Sequence, residues 1–204
     1  MALSDRVCIV DYGVGNIISV LKFFRSMGFD ASISNKQKDI ENCNIAILPG
    51  VGSFDTAMKN IQELKIYETI QKRSVLNKPI IGICLGMQIL CVDSEESPGV
   101  RGLGIFKSRV HQLEGKENMH IGWNTISSGQ VDNTKISING HVYFNHGYHV
   151  KSSFQGTILT STYGSNAIAS VVKNKNTIGI QFHPEKSYKM GVDTITKLIK
   201  VLSV

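Results

Sequence analysis

Cys84 lies between two glycines, directly after an apolar run, in the segment Gly82-Ile83-Cys84-Leu85-Gly86. A nucleophile between glycines at the end of a strand is typical of the nucleophile elbow, a strand-to-helix turn with no room for flanking side chains. The helix that follows would direct its positive dipole end toward the sulfur and favour the thiolate. Taken alone, this motif is equally compatible with a buried core cysteine.

A second motif supplies the partners that a cysteine nucleophile needs, namely a base and a group that orients the base. His183 and Glu185 follow the apolar segment 177–180, which we predict to be a strand. Because Pro184 stiffens the link between them, the Glu185 carboxylate can fold back onto the imidazole. His-x-Glu alone is more often a surface pair. Two such motifs at the ends of two strands predict a catalytic triad of Cys84, His183 and Glu185.

No metal site or cofactor is predicted. The four cysteines form no Cys-x-x-Cys pair and do not indicate a disulfide framework, and the other histidines lack metal-ligand spacing. Gly13-Val14-Gly15 lacks the third glycine of a dinucleotide fingerprint, and no Gly-Lys-Ser/Thr follows Pro49-Gly50-Val51-Gly52.

Composition favours one domain over residues 1–204, with 42% hydrophobic and 19% charged residues and a net charge of +6. Basic residues are scattered and not interleaved with aromatic ones, so we expect no nucleic-acid partner. No signal peptide and no apolar run of membrane-spanning length is apparent. We therefore expect no membrane association and a cytoplasmic, reducing location that keeps Cys84 a thiol.

The first half of the chain alternates apolar runs with helical patterns, which predicts a parallel sheet covered on both faces. The predicted strands are 7–10, 31–33, 45–48 and 79–83. A helical pattern with Ile17, Val20, Leu21 and Phe24 ends near Gly28. A second predicted helix begins after Ser53, as N-cap, and runs to about Arg73. A third includes residues 85–90.

The second half indicates short antiparallel strands from about residue 100 to 181, and a helix over 192–202. Turns are predicted at Ser128-Gly129, Asn139-Gly140, Tyr163-Gly164 and 173–176. The predicted fold is therefore α/β, an open, mainly parallel twisted sheet flanked by helices, flavodoxin-like, with antiparallel strands added in the second half. Loops that carry function should cluster at the carboxyl ends of the parallel strands.

Three motifs together resemble the class I, triad-type glutamine amidotransferases. They are Pro49-Gly50-Val51-Gly52-Ser53-Phe54, Gly82-Ile83-Cys84-Leu85-Gly86-Met87-Gln88 and Gln181-Phe182-His183-Pro184-Glu185-Lys186-Ser187. Segments 11–16, 94–96, 120–124 and 143–148 extend the resemblance, which covers nearly the whole chain. Within the class, the chain is similar to glutaminase subunits that work with a (β/α)₈ barrel cyclase acting on a phosphorylated ribonucleotide intermediate.

The resemblance implies glutamine as the substrate. The oxyanion hole would use the backbone N–H of Leu85, by the geometry of the elbow, and that of Val51, by resemblance. Glutamine would be bound by Gly52, Gln88 and the backbone at Gly147 and Tyr148. The family more often has Ser or Thr at position 147 and an apolar residue at position 145, so Gly147 and Asn145 are departures.

Free ammonia would protonate and diffuse away, so a glutaminase of this kind is expected to work docked on the synthase that receives the ammonia. The resemblance implies a heterodimer with the barrel subunit. Five residues match interface positions of the family: Asn16, Ile121, Trp123, Tyr143 and Lys186. A single tryptophan is more often a core residue, so the interface role of Trp123 follows from the resemblance alone.

Three other readings stay open at this point. A paralogous glutaminase would feed ammonia to a related barrel synthase that amidates a sugar for surface polysaccharides, and only the acceptor on the partner would differ. A cysteine peptidase or deglycase-like hydrolase would share the elbow without requiring His-Pro-Glu. A docking module without activity would not require an intact Cys84, His183 and Glu185.

Overall fold

A central sheet of ten strands runs through the part of the chain that the computed structural model describes, residues 5–115, 118–131, 134–136 and 138–202. Three more described strands form a small separate sheet. In chain order the strands are β1 (Arg6–Val10), β2 (Asp30–Ser34), β3 (Ile45–Leu48), β4 (Ile80–Ile83), β5 (Asp93–Ser94), β6 (Arg109–Gln112), β7 (His120–Val131), β8 (Thr134–Ile136), β9 (Gly140–His146), β10 (Tyr148–His149), β11 (Thr157–Tyr163), β12 (Asn166–Asn174) and β13 (Thr177–Ile180).

The order in the central sheet is β2-β1-β3-β4-β13-β12-β11-β7-β8, and β9 pairs with β7. The first five strands in this order are mutually parallel, and the later strands pair antiparallel. The small sheet has the order β10-β6-β5. The predicted α/β architecture, a parallel sheet extended by antiparallel strands, is therefore confirmed.

Helices cover both faces of the parallel strands. In chain order they are α1 (Ile17–Ser26), α2 (Gln37–Asn42), α3 (Phe54–Glu63), α4 (Tyr67–Val75), α5 (Leu85–Gln88) and α6 (Tyr188–Ile199). One buried apolar cluster lies between the sheet, α1 and α6, and the other lies between the sheet and α2 to α5. All four residues of β3 and of β4 are buried, as continuous apolar strands covered on two faces require. No helix within the described residues is long and apolar enough to cross a membrane.

The single helix predicted between Ser53 and Arg73 is wrong, because a turn divides it into α3 and α4. Lys65 has φ +56°, its N–H donates to the Gln62 carbonyl, and the Ile66 N–H donates to the Ile61 carbonyl. These two bonds define a Schellman motif, which usually has glycine at the left-handed position. Lysine there gave no signal in the sequence. Ser53 does occupy the N-cap position of α3, but its hydroxyl bonds to side chains, those of Asp55 and Thr56.

Two expectations for the second half also differ from the structure. Ser128-Gly129 is not a turn, because β7 continues through it and changes partner from β9 to β11 and then β8. The Ser128 hydroxyl bonds with the backbone of Ile138 instead of closing a turn. The last helix is α6, which begins at Tyr188 and ends at Ile199, earlier than predicted. The turns after Tyr163 and at Lys175 are present.

Candidate active site

Cys84 lies at the sharp turn between β4 and α5. Its backbone has φ +54° and ψ −110°, a conformation that is strained for a residue with a side chain. A Cβ added to Gly82 would lie 2.4 Å from the Gly86 carbonyl oxygen, and one added to Gly86 would lie 1.8 Å from the Leu48 carbonyl oxygen. The crowding predicted from the glycine spacing is therefore present, and it holds the cysteine at the tip of the turn.

His183 reaches the same edge of the sheet because β13 lies beside β4. Ile180 is the register partner of Ile83, and the Cys84 N–H donates to the Ile180 carbonyl at 2.6 Å. Backbone bonds then fix the loop: the His183 N–H donates to the Tyr143 carbonyl at 2.8 Å, and the Ser187 hydroxyl donates to the His183 carbonyl at 2.6 Å.

His183 and Glu185 form a buried pair. Nδ1 of the imidazole donates to Oε1 of the carboxylate at 2.8 Å, and the two side chains are 3% and 2% exposed. Burial by itself lowers the pKa of His183, but the charges of a Cys84 thiolate and of Glu185 outweigh it and raise this pKa to about 10. Nε2 makes no hydrogen bond in the described structure, so we assign the effect of Cys84 to its charge. The charge of a Cys84 thiolate and that of Glu185 thus both favour the protonated imidazole.

The Cys84 sulfur has two weak polar contacts, to the carbonyl oxygen of Asn145 at 3.7 Å and to Nε2 of Gln181 at 3.8 Å. Asn145 contacts the sulfur through its backbone, so the contact does not depend on which side chain stands at position 145. Gln181 is fully buried and was not predicted to contact the nucleophile. It donates to the sulfur, as a group that stabilises negative charge there must.

A cavity of about 230 Å³ opens beside the cysteine. It is lined by all seven residues predicted for the nucleophile, the oxyanion hole and the glutamine contacts: Val51, Gly52, Cys84, Leu85, Gln88, Gly147 and Tyr148. Four further residues complete the wall: Glu96, Met119, Asn145 and His146. The structure thus brings the seven predicted residues to one cavity, whereas the four further lining residues were not predicted.

The loop after β3 packs tightly against the elbow. A Cβ on Gly50 would lie 2.8 Å from the Cβ of Leu85, and the buried Tyr12 hydroxyl donates to the Pro49 carbonyl. Within the described residues, the backbone N–H groups of Val51 and Leu85 make no hydrogen bond. These two N–H groups, on residues that line the cavity at Cys84, are candidate donors for an oxyanion hole.

The space beside Gly147 is occupied by Met119. A Cβ at position 147 would lie 2.8 Å from the Met119 sulfur and 3.1 Å from the Asn118 carbonyl oxygen. The Met119 side chain, from the segment before β7, therefore fills the space that a side chain at position 147 would occupy.

Glu96 lines the glutamine cavity but was not predicted as a site residue. Segment 94–96 entered the sequence analysis only as part of the family resemblance. Oε2 of Glu96 accepts the Phe54 N–H at 3.1 Å. Burial raises the pKa of Glu96, and the Phe54 hydrogen bond opposes that shift. A half-buried carboxylate in a cavity is stabilised by a cationic ligand group. Glu96, Met119 and His146 come from three different segments, and no local spacing in the sequence connects them to Cys84.

The five residues predicted at a partner interface lie on or beside one face. Ile121 and Trp123 point outward from β7, 60% and 49% exposed. The Trp123 ring lies 6.0 Å from that of Tyr143, whose face carries the Lys186 ammonium at 5.2 Å. Tyr188, 80% exposed, was not predicted; it stacks on Trp123 with ring centroids 5.6 Å apart. We call Trp123, Tyr143, Tyr188 and Lys186 together the aromatic face.

A second cavity, of about 190 Å³, connects this face with the catalytic residues. Asn16 and Lys186 line it together with His183, Glu185 and Val51. Val51 and Asn145 line both cavities and thus form the partition between them. Within the described residues, no group of three His, Cys, Asp or Glu side chains could hold a metal ion.

Comparison with known proteins gives consistent matches along the chain. The sequence profile of the family described as glutamine amidotransferase class-I matches residues 8–199. Imidazole glycerol phosphate synthase subunit HisH of Lactococcus lactis is 39% identical over 91% of this chain and 94% of its own length. Subunit HisH 2 of Methanococcus maripaludis is 38% identical over 95% and 98%.

The fold agrees with these matches. A crystal structure of a glutamine amidotransferase superposes with a TM-score of 0.76, at 17% identity, and covers 97% of this chain and 99% of that one. At this identity the superposition supports the fold alone, whereas the sequence profile matches nearly the full length. The chain belongs to the class I glutamine amidotransferase family.

Proposed function

We propose that this chain is the glutaminase subunit of imidazole glycerol phosphate synthase. It hydrolyses glutamine to glutamate and ammonia and passes the ammonia to a (β/α)₈ cyclase partner in histidine biosynthesis. One observation carries the proposal: Cys84 opens into a cavity lined by the expected glutamine contacts, and the buried His183–Glu185 pair follows the neighbouring strand β13. The HisH relatives, at 38–39% identity over 91–95% of the chain, support the choice of pathway. The whole chain acts as one glutaminase domain.

The first half-reaction forms a thioester. The Cys84 thiolate attacks the side-chain amide carbon of glutamine, and the carbonyl oxygen becomes an oxyanion. The C–N bond then breaks as the His183 imidazolium gives its proton to the departing nitrogen, and ammonia leaves. The raised pKa of His183 suits this step, because it favours the protonated imidazole that must supply the proton.

The second half-reaction consumes water. His183, now neutral, takes a proton from a water molecule whose oxygen attacks the thioester carbon. The C–S bond breaks, glutamate leaves, and the thiolate and imidazolium are restored. Glu185 keeps the Nδ1–H tautomer and balances the charge whenever the imidazole is protonated, and the hydrogen bond to His183 links it to the reaction.

The oxyanion would be bound by the backbone N–H groups of Leu85 and Val51. Gly52 has φ +137°, a conformation open to glycine, and Gly50 precedes Val51. Two glycines around this peptide allow it to flip. The oxyanion hole would therefore form fully only when the barrel partner has bound its own ligand. A structure of the trapped thioester in which the 49–52 loop keeps the conformation of the free enzyme would contradict this flip.

Glutamine would be held by Gly52, Gln88 and the backbone at Gly147 and Tyr148. We add Glu96 to this set. Its half-buried carboxylate would pair with the α-ammonium group of the substrate, which would offset the cost of burying the charge.

The aromatic face, with Asn16 and Ile121, would dock on the barrel subunit. Exposed tryptophan and tyrosine side chains are typical of binding hot spots. Trp123 and Tyr188 are such side chains, and Lys186 lies over the ring of Tyr143. The second cavity lies between this face and His183, and we expect ammonia to leave toward the partner on this side. A reducing cytoplasmic location belongs to the proposal, because Cys84 must remain a thiol.

The decisive experiment is a glutaminase assay of the chain with and without the barrel partner and the ligand of that partner. We expect hydrolysis of glutamine to rise when both are present. Ammonia released from peptides or adducts, without glutamine turnover, would instead favour a peptidase or deglycase-like hydrolase. The substrate of the purified partner separates histidine biosynthesis from sugar amidation, because the partner and not this chain binds the acceptor.

A further inference from the structure

Two buried histidines, His120 on β7 and His146 on β9, face each other next to the glutamine cavity. They are register partners, and Nδ1 of His120 lies 3.2 Å from Nε2 of His146. They are only 2% and 4% exposed. The His120 ring is stacked between Phe144 and Tyr163, with centroid distances of 4.4 and 4.2 Å. Burial lowers the pKa of His120 to about 4 and that of His146 to about 3, so both are neutral at neutral pH.

The hydrogen bonds determine which nitrogen of each ring carries the proton. Nδ1 of His146 must donate, because its partner at 3.0 Å is the Tyr148 carbonyl oxygen. Nε2 of the neutral His146 therefore accepts from Nδ1 of His120. Nε2 of His120 in turn accepts from the Asn124 amide nitrogen at 3.1 Å. That amide also donates to the Thr162 carbonyl at 2.9 Å, which fixes its orientation.

This chain of donors ends at an atom of the glutamine site. The Tyr148 carbonyl accepts from His146 and also from Nε2 of Gln88, at 2.8 Å. Gln88 is itself 4% exposed, and its Nε2 lies 3.4 Å from Oε1 of Gln181, the residue that donates to the Cys84 sulfur. One carbonyl oxygen thus joins the histidine pair to a cavity wall that the glutamine substrate must contact.

A role in packing alone does not account for these groups. Two apolar rings could fill the space of His120 and His146 without a series of hydrogen bonds that all run in one direction. A buried polar network is specific only when every member is satisfied, and here each donor has an acceptor. Its effect is to fix the direction of the Tyr148 carbonyl.

We infer that His120 and His146 are positioning residues for glutamine: as a neutral pair they orient the Tyr148 carbonyl, and through it the Gln88 amide and the 147–148 backbone, for substrate binding. Neither residue is a nucleophile, acid or base in the proposed reaction. The inference rests on the proposed glutaminase function and adds residues that set the affinity of the chain for glutamine.

The test uses two amides that imitate different nitrogens of the imidazole. In His146→Asn the side-chain nitrogen can take the place of Nδ1 and keep the bond to Tyr148. In His146→Gln it lies nearer to the position of Nε2 and loses that bond. Loss of one such bond corresponds to about a tenfold change in affinity. We expect His146→Gln to raise the KM for glutamine about tenfold more than His146→Asn does, with little change in kcat in either variant.

His120→Phe provides a second variant, because it preserves the stacking on Phe144 and Tyr163 but removes the donor to His146. We expect a raised KM and, because Nε2 of the buried His146 loses its donor, a modestly lower melting temperature. All variants are assayed in complex with the barrel partner, and binding of glutamine is also measured by calorimetry in the Cys84→Ala background, where no turnover is needed. Equal KM and affinity for the Asn and Gln variants, or losses that follow the melting temperature alone, would overturn the inference. A wild-type complex that binds glutamine without hydrolysing it would contradict the proposed function and leave the affinity comparison valid.

Discussion

Nδ1 of His183 lies 2.8 Å from Oε1 of Glu185, and both side chains are almost completely buried. The two residues are separated only by Pro184, at the start of a 3-10 turn over Pro184–Lys186. The carboxylate therefore folds back within a single turn, and the base and its orienting group form one local unit. The raised pKa of the buried imidazole arises first from the charge of a Cys84 thiolate and then from the hydrogen bond and charge of Glu185.

Glu185→Gln should lower the pKa of His183 from about 10, because burial then acts against a smaller opposing charge. Since this pKa lies above the value near 6.5 of an unfolded histidine, the pair stabilises the native state fully below about pH 6.5, and the stabilisation is lost as pH rises through about 10. The variant should therefore be less stable than wild type at pH 6, and the difference should shrink toward pH 10.5. Denaturant unfolding at several pH values, with NMR titration of the His183 ring, measures both effects.

Glu63→Gln is the matched control, since Glu63 is exposed and its partner Lys59 lies 3.8 Å away. Its stability relative to wild type should change little with pH. An unchanged titration of His183 in Glu185→Gln would show that the carboxylate does not set the state of the imidazole.

Cys84→Ala should abolish glutamine-dependent synthesis by the complex, because no thioester can form. Ammonia-dependent synthesis by the partner should persist, since the acceptor site lies on the barrel subunit. Cys91→Ala is the control: it removes another buried thiol, one that does not line the glutamine cavity, and should preserve glutaminase activity. Retained glutamine hydrolysis in Cys84→Ala would rule out the assigned nucleophile.

Gly50→Ala should impair the oxyanion hole without unfolding the chain. The new Cβ would lie 2.8 Å from the Cβ of Leu85 and 3.1 Å from the Gly86 nitrogen, so the 49–52 loop must move away from the elbow. Misplacing one oxyanion donor lowers kcat by about a hundredfold. Steady-state glutaminase kinetics of the complex measure this loss.

Gly104→Ala serves as the comparison for that variant. Gly104 has φ +63° and no atom near the position of an added Cβ, so the substitution strains the backbone outside the active site. We expect a modest loss of stability and an unchanged kcat. If Gly50→Ala behaved in the same way, close packing of the loop on the elbow would not matter for catalysis.

Trp123→Ala should weaken the association with the barrel partner more than tenfold, because the ring is a half-exposed aromatic anchor held between Tyr143 and Tyr188. Val75→Ala is a suitable control, since Val75 is 80% exposed at the end of α4. Titration calorimetry of the two subunits gives both affinities. Equal affinities would place the interface elsewhere.

The sequence was sufficient for those parts of the site that depend on local pattern. Cys84 and His183 each follow an apolar strand within one short motif, and the Pro184 link brings Glu185 to the imidazole. The Tyr12 hydroxyl on the Pro49 carbonyl, the Gln181 contact with Cys84 and the His120–His146 pair join residues 26 to 97 positions apart. No periodicity connects such positions, because the sheet order that brings them together is a property of the whole fold.

The break between α3 and α4 escaped prediction for a different reason. Lys65 adopts the left-handed conformation at a position where glycine is the usual signal. The burial of Ile66 on the far side of that turn compensates for the strain. The position of the turn is thus set by tertiary packing and not by the local preference of Lys65, and tertiary packing cannot be read from a single sequence.

Gly147 and Met119 should behave as a coupled pair. Gly147→Ser introduces a Cβ 2.8 Å from the Met119 sulfur and 3.1 Å from the Asn118 carbonyl oxygen, so the methionine must swing away from the cavity wall. We expect the KM for glutamine to rise several-fold in this variant. Met119→Ala alone should also raise KM, because it removes part of the cavity lining.

The double variant Met119→Ala/Gly147→Ser should recover much of the lost affinity, since the smaller side chain leaves room for the serine, whose hydroxyl can also contact the substrate. The coupling follows from a double-mutant cycle on the KM values, in which residues in contact deviate from additivity. Strictly additive effects would show that the two positions are independent. Recovery would show that Met119 occupies the space that a side chain at position 147 needs.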